Sequence, residues 1–106
     1  KRNHVVIPGR AELRKHKLPV VVFDISKMGC CFKYMEDKQN SVIFREGDMI
    51  RLFCKFPGVE NELGAMAHVR NIRREKRQFS IGTEFTEMTK KFISPLMELL
   101  CSIEGF

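Results

Sequence analysis

The segment FDISKMGCCF, Phe23 to Phe32, sets an aspartate and a serine two residues apart at the end of an apolar run, with a glycine three residues further on. Residues two apart on a strand share a face, so Asp24 and Ser26 are expected to project together while Phe23 and Ile25 turn into a core. Gly29 can adopt a positive φ or let another backbone approach closely. The result is a small polar shelf at a strand end. A carboxylate on it can accept two hydrogen bonds from paired donors such as N1 and N2 of guanine, and a hydroxyl can bond a phosphate oxygen or a base. Asp and Ser also cap turns through bonds to their own backbone, so this pattern alone leaves a purely structural role open.

Other chemistry finds less support. His4, His16 and His68 are scattered, and no His-x-x-x-His or Cys/His cluster has metal-ligand spacing. His4 is close enough to Arg2 in sequence to touch a bound phosphate or base, and His68 reads as a strand residue on a polar face. There is no nucleophile elbow, no phosphate-binding glycine loop of the Walker type, and no base at a recognisable spacing from Ser26. The expectation is a binding module, not an enzyme, with neither metal nor cofactor.

Four cysteines, Cys30, Cys31, Cys54 and Cys101, show no CxxC pair, which fits reduced thiols in a cytosol. Nineteen Lys and Arg against thirteen Asp and Glu give a net charge of +6. That balance favours anionic partners without choosing among nucleotides, nucleic acid and acidic lipid. The segment RNIRREKR concentrates Arg70, Arg73, Arg74, Lys76 and Arg77 around one turn, a contact for nucleic acid or an acidic protein or simply a solvated tip. With no Trp and one Tyr, and with Phe mostly at expected core positions, no stacking platform accompanies it. This argues against single-stranded nucleic acid.

The elements that must position the shelf read as strands. A chain of 106 residues, 43% hydrophobic, suits one domain. Short β-rich segments separated by turn signals predict an all-β barrel or sandwich. Strands are expected over Arg10–Lys15, Val20–Ile25, Cys30–Tyr34 and Met49–Lys55, followed by a long hairpin turning at Glu75 and Lys76. Polar Glu36 to Ser41 is a loop. Residues 1–9 are expected as a flexible basic arm and 10–86 as the barrel. Ser94 before Pro95 reads as a helix start, so a short helix is placed over 94–104. Leu96, Leu99, Leu100 and Ile103 form its apolar stripe against an open barrel end. No apolar run is long enough for a membrane span.

The pattern D-x-S-x-x-G in FDISKMGCCF resembles the second signature of the PilZ domain, the bacterial receptor module for cyclic di-GMP. The order of features is similar as well: an apolar strand before the signature, a late strand ending in IGTEFTEM, and a C-terminal helix. The resemblance covers nearly the whole chain. It implies a six-stranded antiparallel PilZ-like split barrel, a single domain over 1–106 cut from a longer chain, and cyclic di-GMP as ligand. Asp24, Ser26 and Gly29 would bind it, with Lys27 beside them.

The family's first signature is an arginine pair, RxxxR, ahead of the first strand. Arg10 and Arg14 match that spacing but fall on the expected first strand, where they read as a solvated face. Arg2, 22 positions before Asp24, is at a separation similar to the family's. It is assigned as the second arginine of the pair, with Lys1 as basic neighbour and the first arginine before Lys1. The implied output is a reshaped surface, read by a protein partner or a neighbouring N-terminal domain. Motility, surface polysaccharide or virulence would be controlled, as in a flagellar-brake type protein. A ligand-independent interaction module of the same fold is the other reading.

Overall fold

A computed structural model of the chain describes residues 3–36 and 43–104, the last without its side chain. Lys1, Arg2 and the expected loop after Glu36 lie outside the described residues. Six strands precede one helix: β1 Asn3–Leu13, β2 His16–Ile25, β3 Gly29–Met35, β4 Met49–Cys54, β5 Leu63–Glu75, β6 Gln78–Met88 and α1 Lys90–Glu104. All neighbours are antiparallel, and the order β1-β2-β3-β6-β5-β4 closes into a barrel where β4 pairs with β1.

Alternation drives closure. Leu18, Val20 and Val22 on β2, Ile50, Leu52 and Cys54 on β4, and Ala65, Ala67 and Val69 on β5 all point inward and are buried. Pro19 sits ahead of Val21, the first β2 residue paired with β3, so its missing amide removes no bond from that ladder.

Aromatic rings plug both ends of the barrel. At one, Phe44 packs edge-on against Phe32 and Tyr34, and Tyr34 stacks on Phe79 at 5.2 Å. At the other, Phe92 of α1 meets Phe56 and Phe85 edge-to-face at 5.2 and 5.4 Å. Such pairs add about 1 kcal/mol each beyond the area they bury.

Four expectations need correction. The first strand starts at Asn3, so from that residue onward the expected arm is β1, paired with β2 from Asn3↔Ile25 to Leu13↔His16. Its local pattern is broken by a bulge between His4 and Ile7, which hides the strand from an alternation reading. Arg14 and Lys15 form the tight turn after it, Arg14 with φ 57°.

Second, Phe23 does not enter the core. The β2–β3 register runs Val22↔Phe32 then Asp24↔Cys31, so Phe23 is an extra residue and both it and Asp24 face outward.

Third, the helix begins at Lys90. The Phe92 amide donates to the Thr89 hydroxyl at 3.2 Å, an N-cap in place of Ser94, and Pro95 lies inside the helix. Burial of Phe92 sets this earlier start.

Fourth, Leu96 and Leu100 are buried as expected, but Ile103 is 40% exposed and Phe92 completes the stripe.

The start of β3 is held by a contact without slack. A Cβ on Gly29 would lie 2.0 Å from the Thr83 carbonyl oxygen and 2.9 Å from the Glu84 Cα. Gly29 has no positive φ, so close approach to β6 explains the glycine. Next to it the buried Thr83 hydroxyl donates to the Cys30 carbonyl at 2.9 Å. Gly29→Ala should lower stability by about 3 kcal/mol, read as a shifted denaturant midpoint; an unshifted midpoint would mean β3 can move off β6.

Tyr34 is the single tyrosine, and its pKa is pushed up to about 12 by burial and, secondarily, by Glu36. The folded state thus keeps the phenol protonated longer than the unfolded chain does. Its contribution to stability is complete below pH 10 and is lost as pH rises through about 12. Phenolate absorbance should therefore appear near pH 12, and Tyr34→Phe should flatten this part of the alkaline stability curve. Ionisation of native protein near pH 10 would contradict the burial of this ring.

Candidate functional site

The bulge at Phe23 aims Asp24 at the outer surface of the barrel. From there the register carries a row across four strands: Asp24 on β2 opposite Cys31 on β3, Cys31 opposite Gly82 on β6, and Gly82 opposite Asn71 on β5. A second row, Lys33–Ser80–Arg73, runs beside it. Between these rows and the β5–β6 hairpin lies a cavity of about 820 Å³, lined by Phe23, Asp24, Cys31 and Ser80, with Asn71, Arg73, Arg74 and Glu75 from β5. The Lys33 ammonium stands 5.8 Å from the centre of the Phe23 ring.

A second bulge shapes the far wall. Val69 pairs with Thr83 and Asn71 with Gly82, so Arg70 is the extra residue. Val69 still points inward, and Asn71 and Arg73 then point out. Arg70 pairs with Glu84 at 3.0 Å. Arg74 pairs with Glu36 at 2.9 Å and lies 5.4 Å from the centre of the Phe79 ring.

The D-x-S-x-x-G residues divide into different roles. Asp24 is in the cavity wall. Ser26 follows the strand, and its hydroxyl accepts the Met28 amide at 3.1 Å while its own amide donates to the Gly29 carbonyl at 2.9 Å. It closes the turn that ends β2. The Met28 carbonyl in turn accepts from the Phe85 amide at 2.8 Å, which ties the turn to β6. Gly29 is buried at the β6 contact, and Lys27 is exposed at the turn. The shelf is thus a carboxylate on a pinned, hydrogen-bonded turn.

The arginines separate by position. Arg10 pairs with Glu12 at 3.1 Å and Glu62 at 3.5 Å and packs 4.5 Å from the Phe53 ring centre, on the β1–β4 side. Its partner on β2 is Pro19, five residues from Asp24, or about 17 Å along the strand. Arg14 is further still, in the hairpin turn. Lys1 and Arg2 lie outside the described residues, but the strand they lead into begins with Asn3 opposite Ile25 and His4 opposite Asp24.

Sequence reasoning missed Asn71, Arg73, Arg74 and Ser80 as cavity residues. Outward parity on β5 and β6 was the available signal, and the bulge at Arg70 resets it.

Among the described residues, no cluster of three His, Cys, Asp or Glu could hold a metal. No described helix is long and apolar enough to cross a membrane.

No curated protein matches the sequence. A solved structure of the Inhibitor of motility (MotI/DgrA) from Bacillus subtilis is similar in fold, with a TM-score of 0.75 and 18% identity. The match covers 98% of this chain and 47% of that one, so this chain spans about half of that protein's length. The sequence profile of the PilZ domain matches residues 1–100. With D-x-S-x-x-G pinned at the end of β2 of a six-stranded barrel, the chain belongs to the PilZ domain family.

Proposed function

We propose that the chain is a cyclic di-GMP receptor domain of the cytosol, which couples ligand binding to a change in surface or inter-domain geometry that a protein partner or neighbouring domain reads. The observation that carries this reading is the position of Asp24. It combines the family signature with an outward carboxylate in the wall of a large polar cavity.

In this reading Asp24 accepts from N1 and N2 of one guanine. Ser26, whose hydroxyl accepts the Met28 amide and donates to the Gly29 carbonyl at a long 3.4 Å, would turn that proton to a phosphate or base. Gly29 lets the turn sit tight on β6, and Lys27 adds positive charge at the turn. Arg2 and Lys1 supply the phosphate contacts. Arg2 directly precedes Asn3, whose strand runs beside Asp24. Guanidinium groups suit this task through paired donors to phosphate and to the O6/N7 edge of guanine. Engagement of a dianionic dinucleotide by the residues ahead of β1 would then be the signal.

A ligand-independent interaction module of the same fold is supported by one observation, the use of the Ser26 hydroxyl inside its own turn. Isothermal titration of cyclic di-GMP into the chain, with GMP as control, separates the two. Micromolar or tighter binding selective over GMP is expected; no binding by this chain, nor by one extended before Lys1, would leave the interaction module.

Asp24→Ala and Ser26→Ala should each weaken binding, Asp24→Ala by about tenfold or more, with the fold left intact. Arg2→Ala should cost more affinity than Arg10→Ala or Arg14→Ala. The reverse order would place the arginine pair on β1.

A further inference from the structure

We propose that β5 supplies a second binding wall, with Asn71 and Arg73 contacting the ligand and Gly82 acting as the positioning residue for Asn71; this rests on the receptor reading above. The chemistry is that of a nucleotide lying across the strands, with a base edge toward Asp24 and a phosphate toward Arg73.

Three observations meet here. First, of the three arginines on β5, two are held by carboxylates and Arg73 is not. Arg70 is paired with Glu84 and Arg74 with Glu36. Among the described residues Arg73 has no ion pair, and it is exposed in the same cavity wall as Asp24. Glu75 also lines the cavity, at its hairpin end; without an ion pair among the described residues, Arg73 can take a phosphate.

Second, the floor between Asp24 and Asn71 carries only the small side chain of Cys31 and, over Gly82, the flat Asn71 carboxamide. Three strand spacings separate the ends, about 14 Å. A flat ring can therefore lie on the barrel without displacing a bulky group.

Third, the Asn71 carboxamide occupies the place a side chain at residue 82 would take. A Cβ built on Gly82 meets the Asn71 Oδ1 at 2.6 Å, Nδ2 at 2.7 Å and Cγ at 2.9 Å. Gly82 thus lets an exposed amide, able both to donate and to accept, lie flat against the floor. The bulge at Arg70 points it there.

The test is titration of cyclic di-GMP into the unmodified chain, Asp24→Ala, Asn71→Ala, Arg73→Ala, Gly82→Ala and the Asn71→Ala/Gly82→Ala pair, each checked by thermal melting. Arg73→Ala should weaken binding about tenfold or more and reduce its dependence on salt. Asn71→Ala should weaken it several-fold. Gly82→Ala should mimic Asn71→Ala, and the double variant should lose no more than either single one.

Asn71 and Arg73 are exposed, so their variants carry the test even if Gly82→Ala does not fold. Wild-type affinity in Arg73→Ala and Asn71→Ala, with binding lost in Asp24→Ala, would overturn the second wall and leave the receptor reading standing. Additive losses in the double variant would overturn the positioning role of Gly82. No binding by the unmodified chain, or by one extended before Lys1, would overturn both readings.

Discussion

Between Val22 and Asp24, strand β2 carries one residue more than β3 opposite it, and the strict inside–outside alternation of a barrel strand shifts by one place. Val22 and Ile25 both remain buried while the two residues between them face outward. Were β2 to alternate strictly through Phe23, Asp24 would share the inward face of Val22, and an ionised carboxylate in that apolar core would cost several kcal/mol. The bulge thus reconciles an apolar core with an outward acid on the same strand. Everything described at the site, from the polar rows to the cavity, lies on the face that this shift selects.

A shifted strand must be held, and backbone contacts do that here. Gly29 lets β3 touch β6, Ser26 closes the turn, and the Met28 carbonyl takes the Phe85 amide. These bonds are short in sequence on one side and long on the other, so they fix the turn relative to the barrel. A carboxylate carried on such a support loses little freedom on meeting a ligand. The same economy explains why Ser26 is spent locally: a rigid strand end improves the aim of its neighbour.

Much of this was legible in the residues. The alternation of AMAHVRNI and the apolar run before Asp24 gave strands that the barrel contains, and the C-terminal leucines gave the helix face. What escaped depended on partners distant in sequence. A bulge at Phe23 is defined by the register with Cys31 and Phe32, which no local pattern encodes. NHVVIPGR hides a strand because its bulge and its Pro-Gly pair break the period. Ser94-Pro95 looked like the better helix start, yet burial of Phe92 beneath the barrel end favours Thr89. Arg73 could not be told from its basic neighbours until Glu84 and Glu36 were seen to take Arg70 and Arg74.

β4 pairs with β5 only from Leu63 to His68, with Val69 joined to Asp48, so beyond that point β5 turns one edge to no described strand. An open edge invites another chain to add a strand, the first step of uncontrolled association. This stretch carries Arg70, Arg73 and Arg74, with Lys76 and Arg77 at the turn. Two copies meeting edge to edge would bring those cations together, and their repulsion opposes the pairing. The charge at this tip thus helps to keep the barrel from templating itself.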